Sequence, residues 1–195
     1  MAVYPTLYFI RHGQTDWNLE HRFQGQTDIP LNDKGRAQAT RNGLALADLL
    51  EDPQALHYVS SPLGRTRGTM HIIRRHLGLP EGGFVTDDRL KELSFGRFEG
   101  MTRKEMALAD QARHDAFFRD PETNAPPGGE THAQLRARTQ SFVNDLPGPS
   151  VIVAHGGNYR ILLRLACGVD VEESFVRPVP QDKVVLVRDG GVTFI

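Results

Sequence analysis

The chain carries one short phrase twice: Thr6-Leu7-Tyr8-Phe9-Ile10-Arg11-His12-Gly13 near its start, and Val151-Ile152-Val153-Ala154-His155-Gly156-Gly157 far downstream. Each is a short apolar run of buried-strand character that ends in His-Gly. In an open α/β sheet, ligands bind just beyond the carboxyl ends of the strands. If the two strands are neighbours, both imidazoles meet at one edge, with Arg11 beside the first. That grouping suits chemistry on an anion, phosphate above all.

Outward from these two strands, patterning predicts an alternation of strands and helices. After the strand over 6–10 comes a polar loop over 13–30. Asn32 then caps a helix that runs to about 50. Gly35, Ala39, Gly43 and Ala47 recur every four residues in it and predict a smooth face packed on a sheet. A strand over 56–60, a helix over 65–77 closed by Gly78 and Pro80, and a short strand over 84–86 come next. Residues 89–100 read as loop, 102–118 as helix with room for a break, and 120–129 as a turn-rich segment. Thr131 and Gln134 form a capping box at the next helix start. The second strand-His-Gly unit feeds a helix over 157–166 with Gly168 as its cap. A hairpin over 184–187 and 192–195 turns at Asp189-Gly190-Gly191. The expected fold class is α/β: a three-layer sandwich with a mostly parallel central sheet and an antiparallel edge strand. With no linker in sight, residues 1–195 read as one domain carrying a lid-like insertion at about 97–129.

Bulk properties narrow the function. A net charge of −1 gives no reason to expect nucleic acid or a membrane as partner, so any anion site must concentrate arginine locally. Cys167 is the single cysteine, which rules out an intrachain disulfide and fits a reducing compartment. The first residues lack the pattern of a signal peptide, and Arg160 and Arg164 interrupt the most apolar segment. A cytoplasmic protein is expected. Neither Cys-x-x-Cys nor His-Glu-x-x-His occurs, and neither does a nucleotide-binding glycine loop, so no metal and no cofactor is expected.

The motifs form an ordered set. Arg11-His12-Gly13-Gln14-Thr15-Asp16-Trp17-Asn18 resembles the signature of the histidine phosphatase superfamily, which includes phosphoglycerate mutases. In order after it come Leu31-Asn32-Asp33-Lys34-Gly35-Arg36-Ala37-Gln38-Ala39, similar to the family's first helix, and Ser60-Ser61-Pro62-Leu63-Gly64-Arg65-Thr66, similar to its second arginine motif. Leu90-Lys91-Glu92-Leu93-Ser94-Phe95-Gly96, continuing through Phe98-Glu99-Gly100, resembles its acid loop. Pro127-Gly128-Gly129-Glu130 and Val153-Ala154-His155-Gly156-Gly157 complete the set. The resemblance implies a phosphoglycerate mutase-like fold and a histidine acid-type phosphatase that works through a phosphohistidine on a small phosphorylated substrate.

Physical chemistry agrees with those roles. A histidine nucleophile must be neutral at the attacking nitrogen, and Arg11 and Arg65 disfavour imidazolium at His12. The same guanidiniums fork onto phosphoryl oxygens and stabilise the transferring group. His155 is expected to face that group as a donor, with the amino end of the following helix aimed at it. Asn18 and Gln24 carry amides suited to phosphate oxygens, although Gln24 reads equally well as a solvated loop residue. The resemblance adds the Gly25 backbone and Gly156. Glu92 is the expected general acid, since an alkoxide leaves poorly without a proton. Glu99, in a Phe-Glu-Gly turn, is expected to be structural. His21, His57, His71, His76, His114 and His132 have no ligand-like partners in sequence. Arg97, Arg103, Lys104, Arg113 and Arg119, with Phe117 and Phe118, are the material expected to roof the pocket.

Three functions remain open. A phosphomonoesterase passes the phosphoryl group to water. A mutase returns it to the same substrate and needs extra cations, which family mutases supply in a paired-arginine segment that 100–106 lacks. An inactive phospholigand-binding module would have lost one of His12, Arg11, Arg65, Glu92 and His155, and all are present. Phosphatase is favoured. Phe175, Val176 and Val179 pack internally or on a partner, so monomer and homodimer both stand.

Overall fold

The computed structural model describes residues 4–195, so the sequence reading of the first three positions lies outside it. In chain order the elements are β1 (Leu7–Arg11), α1 (Asp16–Leu19), α2 (Asp33–Leu49), β2 (His57–Ser60), α3 (Gly64–His76), β3 (Val85–Thr86), α4 (Arg103–Ala109), α5 (Gln111–Arg119), α6 (His132–Asn144), β4 (Ser150–Ala154), α7 (Gly156–Cys167), α8 (Val171–Val176), β5 (Val185–Arg188) and β6 (Gly191–Phe194).

Among the described residues one sheet of six strands runs in the order β3-β2-β4-β1-β5-β6. β3, β2, β4 and β1 are mutually parallel, and β5 and β6 add the expected antiparallel edge. β4 lies between β1 and β2 and is buried at all five positions, which is why Val151–Ala154 reads as an apolar run. Side chains alternate across the sheet. Leu7, Phe9, Ile152 and Ala154 face one core with Phe142 of α6 and Leu162 of α7. Ile10, Val151 and Val153 face the other with Leu46 of α2 and Met70 and Ile73 of α3. Helices therefore cover both faces, giving the three-layer sandwich.

Several helix ends were predictable from local chemistry. The Asn32 side chain accepts from Gly35 N–H, Thr131 and Gln134 close a capping box, and Gly168 adopts a left-handed conformation after α7. Three expectations need correction. The segment 13–30 is not all loop, because Thr15 and Asn18 cap α1 reciprocally. The segment 89–100 holds two single 3₁₀ turns, Asp88–Leu90 and Gly96–Phe98. The small-residue face of α2 packs on α3 and on the turn after β1, not on the sheet. A Cβ at Gly43 would lie 3.1 Å from Ile73 Cα, and one at Gly35 would lie 2.1 Å from the Gln14 carbonyl oxygen. Ala47 has left that face and is exposed. No helix of the described residues is long and apolar enough to cross a membrane.

Candidate active site

Arg11 and Ala154 are register partners at the ends of β1 and β4, so the next residues, His12 and His155, stand side by side. Their rings meet edge to face, with centroids 5.2 Å apart. The His12 backbone N–H donates to the Ala154 carbonyl at 3.0 Å, which locks the first histidine to the second strand. Immediately beyond, the chain presses on α2. A Cβ at Gly13 would lie 2.2 Å from the Gly35 carbonyl oxygen, so only glycine fits there.

The two imidazoles differ in what their nitrogens do. His12 Nδ1 lies 2.8 Å from the Gly13 carbonyl oxygen and must donate to it. The proton therefore sits on Nδ1, and Nε2 of the neutral ring carries a lone pair. Burial, reinforced by the positive fields of Arg65 and Arg11, holds this imidazole well below the ordinary histidine value. His155 is fully buried, with Nδ1 3.4 Å from Arg65 Nη2 and Nε2 2.9 Å from Ser61 Oγ. Arginine can only donate, so Nδ1 accepts and Nε2–H donates to the serine. Burial first, then Arg65, keeps His155 neutral as well. Both nitrogens of His155 are thus engaged within the protein, on Arg65 and Ser61, and its ring lies against His12.

The arginines are held mainly by carbonyls, and no carboxylate hydrogen-bonds to either of them. Arg65 is buried, with Nη1 donating to Thr27 O at 2.7 Å and Nη2 to Gly25 O at 2.6 Å. Its nearest carboxylate, Asp28, is 3.9 Å away. Arg11 donates to Val179 O at 3.0 Å. Burial lowers its pKa to about 10, partly opposed by Glu92, so it stays cationic at neutral pH. The Nε atoms of Arg11 and Arg65 are buried without partners. Buried Arg65 and half-buried Arg11, each with an unpartnered Nε, place two cations at one site suited to an anion.

Glu92 stands at the amino end of α7. Its carboxylate accepts from Gly157 N–H at 3.1 and 3.2 Å and from Leu93 N–H at 2.8 Å. A Cβ at Gly157 would lie 2.3 Å from Glu92 Oε1, so the second glycine of the His-Gly-Gly phrase makes room for this carboxylate. Glu99 accepts from the backbones of Gln26, Thr27 and Phe95, the structural role expected of it.

Arg11, His12, Asn18, Gln24, Gly25, Arg65, Glu92 and Gly156 all lie on the wall of one cavity of about 1230 Å³, and His155 stands behind it. Gln24 is buried and donates to Thr15, which removes the solvated-loop alternative, and its Oε1 has no partner. Asn18 Oδ1 accepts from Thr15 N–H and from Gln181 Nε2–H, so its oxygen serves the turn and not a ligand. Of the expected roof, Arg103, Lys104, Phe117, Phe118 and Arg119 line the cavity, whereas Arg97 and Arg113 do not. Among the described residues no group of three or more His, Cys, Asp or Glu side chains is placed to hold a metal.

Sequence reasoning missed four residues here. Ser61 sets the His155 tautomer. Gln181 donates to the His12 carbonyl at 3.1 Å as well as to Asn18. Arg138 clamps the acid loop, donating to the carbonyls of Arg89 and Glu92 at 2.7 and 2.9 Å while paired with Glu130. Arg160 enters the cavity from α7. Only Ser61 and Glu130 fell within a recognised phrase. His21 and His132, which showed no partners in sequence, also reach the cavity wall.

The chain belongs to the histidine phosphatase superfamily (branch 1), whose sequence model matches residues 7–191. It is 36% identical over 179 residues to the glucosyl-3-phosphoglycerate phosphatase of Mycolicibacterium vanbaalenii, covering 85% of this chain and 76% of that protein. It is 32% identical over 168 residues to the probable phosphoglycerate mutase GpmB of Erwinia tasmaniensis, covering 84% and 75%. The solved structure of Bacillus stearothermophilus YhfR superposes with a TM-score of 0.78 at 32% identity, covering 97% of this chain and 94% of that one.

Proposed function

We propose that the protein is a phosphomonoesterase that transfers the phosphoryl group of a small phosphorylated metabolite to His12 and then to water. The observation that carries this reading is the state of His12. It is buried and neutral, its Nδ1 proton is fixed on the Gly13 carbonyl, which leaves the Nε2 lone pair free, and the positive fields of Arg65 and Arg11 act on the ring. Family membership and phosphatase relatives support the same reading.

In the first step the Nε2 lone pair forms a P–N bond as the ester P–O bond breaks, and the departing oxygen takes the proton of Glu92. Arg11 and Arg65 hold the equatorial oxygens and absorb the developing charge. His155 acts through Arg65, with Ser61 fixing its tautomer. In the second step a water oxygen attacks phosphorus, Glu92 takes its proton, and the P–N electron pair returns to Nε2. The products are an alcohol and inorganic phosphate. Asn18, Gln24, Gly25 and Gly156 shape the phosphoryl pocket, and residues 97–129 act as a lid that sorts alcohols. The chemistry belongs to cytoplasmic metabolites in this reading and uses no metal.

The test is hydrolysis of p-nitrophenyl phosphate and of 3-phosphoglycerate in the presence of a chelator. Release of inorganic phosphate that is abolished by His12→Ala is the expected result. Interconversion of phosphoglycerates without net release would instead assign the mutase activity of the second relative. Phosphate binding without turnover of any ester would assign an inactive binder.

A further inference from the structure

A second cavity, of about 720 Å³, lies at the β2–β3 edge of the sheet, and none of its lining residues lines the cavity that holds His12. Its cation is Arg74, in the last turn of α3 and only 5% exposed. The Arg74 Nε–H donates to the Pro80 carbonyl at 2.8 Å, and the guanidinium lies 4.5 Å from the centroid of the Tyr58 ring. Tyr58 is itself pinned, its hydroxyl donating to the Pro53 carbonyl at 2.8 Å. One edge and one face of the guanidinium are thereby fixed. Neither Nη atom has a hydrogen-bond partner among the described residues, and neither is sealed inside the protein. The carboxylate of Glu81, close by in the same turn, goes to exposed Arg75 at 2.8 and 3.1 Å and leaves Arg74 without an ion pair.

A cation so nearly buried is costly without a carboxylate, and stacking on Tyr58 offsets only part of that cost. The surroundings leave room for the missing anion. Gly82 and Gly83 pass the guanidinium as bare backbone: a Cβ on Gly83 would lie 2.4 Å from Arg74 Nη2, and one on Gly82 would meet nothing within 4 Å. The remaining walls are largely apolar, from Leu56, Leu79, Phe84 and Val85. Such a volume suits a small organic ligand. Arg74 is the one lysine or arginine in the lining, so the cavity can neutralise a single negative charge. Its two open Nη groups match the two oxygens of a planar carboxylate, whereas a phosphate dianion would keep a charge against apolar walls.

We infer that this cavity is a binding site for a small organic carboxylate, whose two oxygens fork onto Arg74 Nη1 and Nη2 and whose apolar body lies among Leu79, Phe84 and Val85. The site stands at the opposite end of α3 from Arg65 and takes nothing from the phosphatase reading.

The test is an NMR titration of the whole ¹⁵N-labelled protein, with inorganic phosphate present to occupy the His12 cavity. Benzoate is compared with benzamide, which keeps the shape and lacks the charge, and with acetate, which keeps the charge and lacks the body. Benzoate is expected to shift the backbone amides of Gly82, Gly83 and Phe84 and the Arg74 Nε–H saturably, and to bind about tenfold or more tightly than either comparator. Arg74→Gln is expected to weaken benzoate by about tenfold or more, and Arg74→Lys, which keeps the charge and loses the fork, by less. Benzoate that binds no tighter than either comparator, shifts confined to His12, Gly13 and Gly25, or no saturable shift below about 20 mM benzoate overturns the inference. A folded Arg74→Gln variant that binds benzoate as wild type does overturns it equally. Should neither variant fold, the wild-type comparison of the three probes decides by itself.

Discussion

The two strand-His-Gly units begin alike and end in opposite states. Past His12 the chain turns against α2 through Gly13, and the imidazole stays on the cavity wall with one nitrogen free. Past His155 the chain enters α7 at once, and the imidazole is sealed between Ser61 and Arg65 with neither nitrogen free. The apolar strands explain why the rings are adjacent. The groups around each ring, the Gly13 carbonyl at His12 and Ser61 with Arg65 at His155, explain why one ring is the proposed nucleophile and the other its brace. A repeated motif fixes placement, while its neighbours fix protonation and access.

The largest test of that contrast is substitution of the free ring. His12→Ala is expected to lower kcat by about 10⁵-fold or more in steady-state phosphate release, since nothing else offers an unprotonated nucleophile. Next is Glu92→Gln. It should cost about 10²–10⁴-fold on alkyl phosphates and about tenfold or less on p-nitrophenyl phosphate, whose leaving group needs no proton. Equal losses on both esters would remove Glu92 from the acid role. His155→Asn comes third, with a loss of about 10–100-fold that Ser61→Ala reproduces more weakly, because both act by aligning Arg65. If His155→Asn were as damaging as His12→Ala, the distinction between the rings would collapse.

The smallest effect is on stability. Folding holds His12 and His155 well below the ordinary value of 6.5 and His132 at about 4. The unfolded chain therefore binds more protons once the pH drops below about 6.5. Stability is full above that pH and is lost as the pH falls toward the folded values. His132, held at about 4, should cost on the order of 1–2 kcal/mol between pH 7 and pH 5, and His12 and His155 should act in the same direction. Thermal unfolding at both pH values should show the loss, and His12→Asn, His155→Asn and His132→Phe should each flatten it.

Much of this architecture was written in local pattern. β4 is apolar from Val151 to Ala154 because both of its faces are covered, and Asn32 and Thr131 mark helix starts because their side chains satisfy orphan backbone donors. The helix α1 escaped because four residues with two apolar side chains carry no period, although its Thr15–Asn18 cap is local. α8 escaped for the same reason, with the Asp170 cap as its only signal. Within the site, Arg11, His12, Arg65 and Glu92 were legible because they sit in distinctive phrases. Arg160, Arg138 and Gln181 were not, since a lone polar residue in a helix or loop reads as solvated until the fold brings a distant carbonyl to it, as for Arg138 and Gln181, or folds a cavity around it, as for Arg160. The tautomers of His12 and His155 were likewise invisible, being set by Gly13 on one side and by Ser61 and Arg65 on the other.

Everything proposed for the site turns on a covalent intermediate at Nε2 of His12. Quenching the enzyme within milliseconds of mixing with a ³²P-labelled phosphomonoester, then mapping the labelled peptide, tests for it. The expected finding is an acid-labile phosphoryl group on His12, attached at Nε2, that decays as inorganic phosphate appears. Label on His155, or turnover with no labelled protein at any time, would contradict it.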